Sequence, residues 1–168
     1  MLPLVWGASI ASYPFFGKTS ETAGRLLALQ GDCSIKELQR RMAEQYGDRS
    51  GIERAVTRVV QTQTSWQALT RDETAKRVIK HQAVLIDDDE LTAWLIEAAV
   101  RYAGKPVSVP SLQSVPVLFP FTLTRPLAYL ASNCPDLVLR SEGASSQFVE
   151  LKRRQGQLTD ELLIGTTR

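Results

Sequence analysis

Hydrophobic positions recur at spacings of three and four through much of the first half of the chain, the period of a helix with one buried side. After an apolar, aperiodic opening over Met1–Gly17, broken by Pro3, Gly7 and Pro14, a helix is predicted from Thr19–Ser20. A hydroxyl there can cap free amides. Ala23, Leu26, Leu27 and Gln30 share one side, and Gly31 closes the end. Ser34-Ile-Lys-Glu37 has the form of a capping box and opens a second helix with the stripe Ile35, Leu38, Met42, Tyr46, ended by Gly47. A third helix, about 49–62, buries Ile52, Ala55, Val56, Val59 and Val60, leaving Glu53, Arg54, Thr57, Arg58 and Gln61 on the other side. Trp66–Leu69 reads as a short strand, Thr70–Ala75 as a polar turn, and Lys76–Ile86 as a returning strand.

The second half repeats this order with other lengths. Asp87–Glu90 is a second capping-box pattern, and Leu91, Trp94, Leu95, Ala98, Ala99 and Tyr102 form a helical stripe closed by Gly104. A proline-rich stretch over 107–124 allows one helical turn near Ser111–Ser114. Thr124 and Pro126 then start a helix to Asn133, and a hairpin pattern flanks Glu142-Gly-Ala-Ser-Ser146. Three helices, a strand, a wing and a strand are the order of a winged helix-turn-helix, clear over 19–86 and looser over 88–153. The expected fold is therefore α+β: two winged helix-turn-helix units packed together and sharing a core, mostly helical with short β-hairpin wings. The expected division is 1–86 for the arm and first unit, 87–154 for a divergent second unit, and 155–168 for a polar tail.

Composition removes whole classes of function. The two cysteines, Cys33 and Cys134, make neither a disulfide framework nor a paired zinc motif, and the only histidine, His81, excludes a multi-histidine site. Asp87, Asp88, Asp89 and Glu90 stand where acids favour a helix start, which is the expected role rather than metal binding. No phosphate-cradling glycine loop, serine elbow or His-Glu-x-x-His helix is present. An enzyme is not expected, nor a cofactor. The longest uncharged stretch, Pro106–Thr124, is interrupted by four prolines and reads as no membrane span, so a cytoplasmic protein is expected.

Charge sharpens what is left. Residues 1–81 hold 12 basic and 8 acidic residues, while 82–168 hold 8 basic and 10 acidic. The first unit is thus the one suited to a polyanion. In a helix-turn-helix the second helix enters the major groove and the wing grips backbone. That assigns Arg49, Arg54, Thr57, Arg58 and Gln61 to the groove, and Arg71, Lys76, Arg77 and Lys80 to the wing. Gln39, Arg40 and Arg41 lie where the preceding helix crosses the backbone. Lys152, Arg153 and Arg154 form a basic patch after the second wing. Arginine and glutamine suit base edges, and threonine suits phosphate or a thymine methyl. The expected partner is double-stranded DNA, contacted with modest specificity. The alternative is a protein-interaction adaptor, in which the same helix face is simply solvated. A larger partner would then dock on the apolar arm, through Trp6, Phe15 and Phe16, and on the proline-rich segment 106–121.

The stretches Tyr13-Pro-Phe-Phe16, Gly24-Arg-Leu-Leu-Ala-Leu-Gln-Gly31, Gln39-Arg-Arg41, Tyr46-Gly-Asp-Arg49 and Arg54-Ala-Val-Thr-Arg-Val59 resemble small bacterial proteins that travel with phage-defence gene clusters. More loosely, the chain is similar to the small accessory protein of BREX phage-exclusion systems. The likeness lies within residues 13–66. It implies winged-helix-like units and DNA binding without an enzymatic role, and it assigns no individual residue.

Overall fold

The computed structural model describes residues 1–47, 51–72, 74–142 and 146–152. The opening segment is helical, not an irregular arm: α1 spans Leu2–Ser12 and α2 spans Pro14–Gln30. Both prolines fall in the first turn of their helix, where the missing N–H costs nothing, so they start helices that they would break elsewhere. Thr19 and Ser20, expected as caps, sit inside α2 and donate to the carbonyls of Phe15 and Phe16 at 2.8 Å.

After α2 come β1 (Asp32–Ser34), α3 (Ile35–Tyr46), α4 (Ile52–Ser65), β2 (Leu69–Asp72) and β3 (Arg77–Lys80). The three strands form an antiparallel sheet in the order β1-β3-β2. Two expectations shift here. Trp66 ends α4 rather than opening a strand, and the returning strand stops at Lys80. Val84–Ile86 is a separate strand, β4. Ser34 stands at the start of α3, but its side chain makes no cap bond. Its partner in the expected box, Glu37, is taken by Arg40 and Arg41 instead.

The same order recurs downstream: α5 (Asp89–Ala103), β5 (Val107–Ser108), α6 (Val109–Gln113), α7 (Leu127–Asn133), β7 (Leu137–Glu142) and β8 (Ser146–Leu151). Its antiparallel sheet runs β5-β8-β7, the same strand order as the first. Between α6 and α7 lie a 3-10 turn, Pro116–Leu118, and strand β6, Phe121–Leu123. Asp88 caps α5, accepting from the Leu91 amide at 2.8 Å. The expected Thr124 cap is absent. Its hydroxyl instead donates to the Ile86 carbonyl at 3.0 Å, and the cap position of α7 is Pro126. The whole is a mixed α+β structure.

The two halves share one apolar core, and three features hold them together. Strand β4 pairs in parallel with β6, Val84 opposite Phe121 and Ile86 opposite Leu123, so the expected boundary at 86 ends within a sheet. Helix α1 packs on α5 as well as α2. Trp6, fully buried, donates from Nε1 to the Val117 carbonyl at 2.9 Å. Its ring meets Phe16 and Trp66 from the first half and Phe119 and Phe121 from the second, all edge-on, at 5.3–6.3 Å between centroids. Such edge contacts suit the positive rim and negative face of aromatic rings.

This corrects the docking roles given to the arm and to 106–121. Trp6 and Phe16 are core residues, and Phe15 is half-buried against Tyr46. Val117, Leu118, Phe119 and Phe121 are buried too. Proline-rich backbone here follows a tight path inside the seam between the halves. Gly24 of α2 is required there: a Cβ at this position would lie 2.1 Å from the Pro116 carbonyl oxygen.

Candidate nucleic-acid interface

Helix α4 forms because Val56, Val60 and Gln63 fall on one side and are buried where α4 packs on α3, β2 and α2. That fixes which side chains point away. Arg54, Arg58 and Gln61 are exposed. At 100° per residue they occupy an arc of about 60°, with Thr57 at its edge and Glu53 about 100° round from Arg54. The neighbouring acid therefore does not face the same way as the two guanidiniums. From Arg54 to Gln61 the stripe rises about 10 Å along the helix. Among the described residues neither Arg54 nor Arg58 forms an ion pair.

A polar tie links this helix to α3. Gln39 donates from Nε2 to the Glu53 carbonyl and to the Thr57 hydroxyl, both at 3.2 Å. The Thr57 hydroxyl in turn donates to the Glu53 carbonyl at 2.8 Å. Its only proton is thus used within the helix. Gln39 lies 18 positions from Thr57, so no local pattern announces the pair; only the packing of α3 on α4 brings them together.

The other sequence-assigned cations are placed less favourably. Glu37 accepts from Arg40 at 3.0 Å and from Arg41 at 2.7 Å, and Arg40 also pairs with Glu44. These ion pairs neutralise α3 where it was expected to meet phosphate, and the guanidiniums hold the Glu37 carboxyl below the usual glutamate range. Arg77 forms a two-pronged pair with Asp32 across β1 and β3, with Nε to Oδ2 at 2.6 Å, and serves the sheet. Arg71 is half-buried on β2. Lys76 alone stands at the wing tip, in the left-handed region at φ 52°. The turn before it is folded by Asp72, whose carboxylate accepts from the amides of Thr74 and Ala75 at 2.9 and 3.0 Å. Lys80 lies at the far end of β3, opposite Leu69, at the foot of the hairpin rather than its tip. Arg49, Arg153 and Arg154 fall outside the described residues.

The corresponding helix of the second half, α7, carries no cation. Its exposed residues include Tyr129, Ser132 and Asn133, and the last two bond back to the Tyr129 carbonyl. Arg125, just before it, is held by Asp89 at 2.5 Å and Asp87 at 3.6 Å. Asp87 and Asp89 thus tie the start of α5 to the segment before α7, while Asp88 of the same run caps α5. Lys152 is exposed at the end of β8, where its amide donates to the Asp136 carbonyl at 2.8 Å.

His81 is exposed and bonds Thr70 at 2.9 Å. Cys33 is buried, and loss of solvent pushes its thiol up to about 12, the opposite of a reactive cysteine. Among the described residues no three potential metal ligands cluster, and no helix is long and apolar enough to cross a membrane. Comparison with protein-family models, with curated proteins and with solved structures finds no match to this chain.

Proposed function

We propose that the chain is a non-enzymatic protein that binds double-stranded DNA through the first of two winged helix-turn-helix units. In this reading α3 and α4 are the helix-turn-helix, α4 lies in the major groove, and β2–β3 is the wing. Element order and strand order agree between the halves, which supports reading both as versions of one design. The observation that carries the function is the exposed stripe of α4. Among the described residues Arg54 and Arg58 have no acidic partner, and they stand on the outward side of a helix whose inward side is core. Arg54, Arg58 and Gln61 are the residues able to read base edges bidentately or to grip backbone, and Lys76 reaches phosphate from the wing tip. The second unit, without a cation on α7, serves as scaffold.

The test is fluorescence anisotropy of labelled duplex DNA titrated with protein at several salt concentrations. Affinity is expected to fall log-linearly with salt, with a slope of about −0.9 for each phosphate neutralised. Arg58→Ala is expected to weaken binding by about 1–3 kcal/mol if it reads a base. Arg54→Ala is expected to reduce the salt slope by about one. Unchanged affinity in both variants would remove α4 from the interface. No binding at low salt would end the DNA reading itself.

A further inference from the structure

A groove of about 300 Å³ opens along the seam between the two halves, bounded by α2, the end of β3, α6, the 3-10 turn and β6. Its floor is hydrocarbon: Leu27, Leu112, Leu118 and Phe119 are each at least nine-tenths buried, yet line the open space. Among the described residues Lys80 is the single charged side chain on its wall. Among the described residues that ammonium has no acidic partner. Ala28, with the smallest side chain that still has a Cβ, lies exposed at the rim.

We propose that this groove is a binding site for a small apolar monocarboxylate, its hydrocarbon body on the Leu27–Phe119 floor and its carboxylate on Lys80. The ligand class follows from shape and charge. At about 30 Å³ for each water-sized group, the space takes roughly ten heavy atoms. That is the small end of ligand sites, too small for a nucleotide. Gln113, Ser114 and Thr122 put polar atoms on the wall, but the Gln113 amide donates to the Leu123 carbonyl at 3.0 Å, and the apolar floor itself offers a sugar or a polyol nothing to bond. One lysine matches one negative charge, so a dicarboxylate would leave its second charge against leucine and phenylalanine. The proposal does not depend on DNA binding. It gives Lys80 a role at the foot of the hairpin, where its distance from the wing tip leaves it poorly placed for phosphate.

Octanoate, with ten heavy atoms, and its neutral counterpart 1-octanol are suitable probes, measured by isothermal titration on the full chain. Octanoate is expected to bind with a Kd of about 1 mM or tighter. Lys80→Gln, at an exposed position, is expected to weaken octanoate about five- to tenfold and to leave 1-octanol unchanged. Ala28→Trp, also at the surface, is expected to close the rim and abolish binding of both. Circular dichroism on each variant checks that the fold is intact. Absence of octanoate binding to the unaltered chain would overturn the site. Equal octanoate affinity in Lys80→Gln would overturn the assignment of the carboxylate, and retained binding in Ala28→Trp would place the ligand elsewhere.

Discussion

Replacing Gly24 by alanine opposes two effects of known size. Glycine inside a helix is worse than alanine by about 0.5–1 kcal/mol, so on propensity alone Gly24→Ala stabilises α2. The tertiary structure says otherwise. The new methyl would stand 2.1 Å from the Pro116 oxygen, 2.9 Å from its carbonyl carbon and 3.1 Å from the Phe119 Cβ. Relief requires α2 and the 3-10 turn to separate by about 1 Å, because the first two obstacles are backbone. The turn is not free to retreat. The Pro116 carbonyl accepts from the Phe119 amide at 3.1 Å, and the next carbonyl, Val117, holds the Trp6 indole at 2.9 Å. Overpacking of this kind costs about 1–3 kcal/mol or more. With the turn tied at both points the upper end applies, and the net loss is expected near 2 kcal/mol after the propensity gain. For a chain of this length that is a fall of about 4–8 °C in Tm. Chemical denaturation followed by circular dichroism gives the number directly. Ala28→Gly, one turn along the same helix and exposed, is the control, losing only about 1 kcal/mol through propensity. A Gly24→Ala variant as stable as the unaltered chain would refute the close approach of α2 to Pro116, and with it the shape of the seam.

Two further expectations concern titration and reactivity. Burial raises the Glu21 carboxyl, but hydrogen bonds from Lys18 and Tyr102 and the charges of Arg25 and Lys18 outweigh it, leaving the group below its ordinary value of 4.5. Its contribution to stability is therefore complete above 4.5 and is lost as pH falls through the lower folded value. Glu21→Gln is expected to cost about 1 kcal/mol at neutral pH and to flatten the acid limb of stability against pH; an unchanged limb would contradict the bonding seen. Of the two free thiols, half-buried Cys134 is expected to react with a disulfide reagent in the native protein, and buried Cys33 only on unfolding. Equal rates would show that Cys33 opens to solvent.

Most of the local structure was legible because its causes are local. The stripe Leu38, Met42 and the stripe Val56, Val60 are periodic, and Gly31 and Gly104 do close helices in the left-handed conformation. What escaped depends on distant partners. Strands β1 and β5 have three and two residues, too short for alternation to register, and exist only because β3 and β8 pair with them. Val84–Ile86 reads as the tail of the returning strand and Phe121–Leu123 as part of a proline-rich stretch, because a two-stranded parallel pair has no hairpin turn to mark it. The apolar opening looked irregular because Pro3 and Pro14 read as breakers, when each sits in a first turn. For the candidate interface, residue types were readable but their pairing was not. Arg40, Arg41 and Arg77 look as available as Arg54 and Arg58 in a list of cations, yet Glu37, Glu44 and Asp32 engage the first three.

The placement of Trp6 bears on how such a chain can change over generations. A repeated unit ordinarily can be copied, lost or joined to a new neighbour, because each copy closes its own interior. Here one indole from a preceding helix fills a pit walled by both halves, with Phe16 and Trp66 on one side and Phe119 and Phe121 on the other. Cut between Lys80 and Val84, either half would leave an aromatic wall facing water. Each half therefore depends on the other for a closed interior, and a substitution on one wall of the pit constrains what the opposite wall can accept.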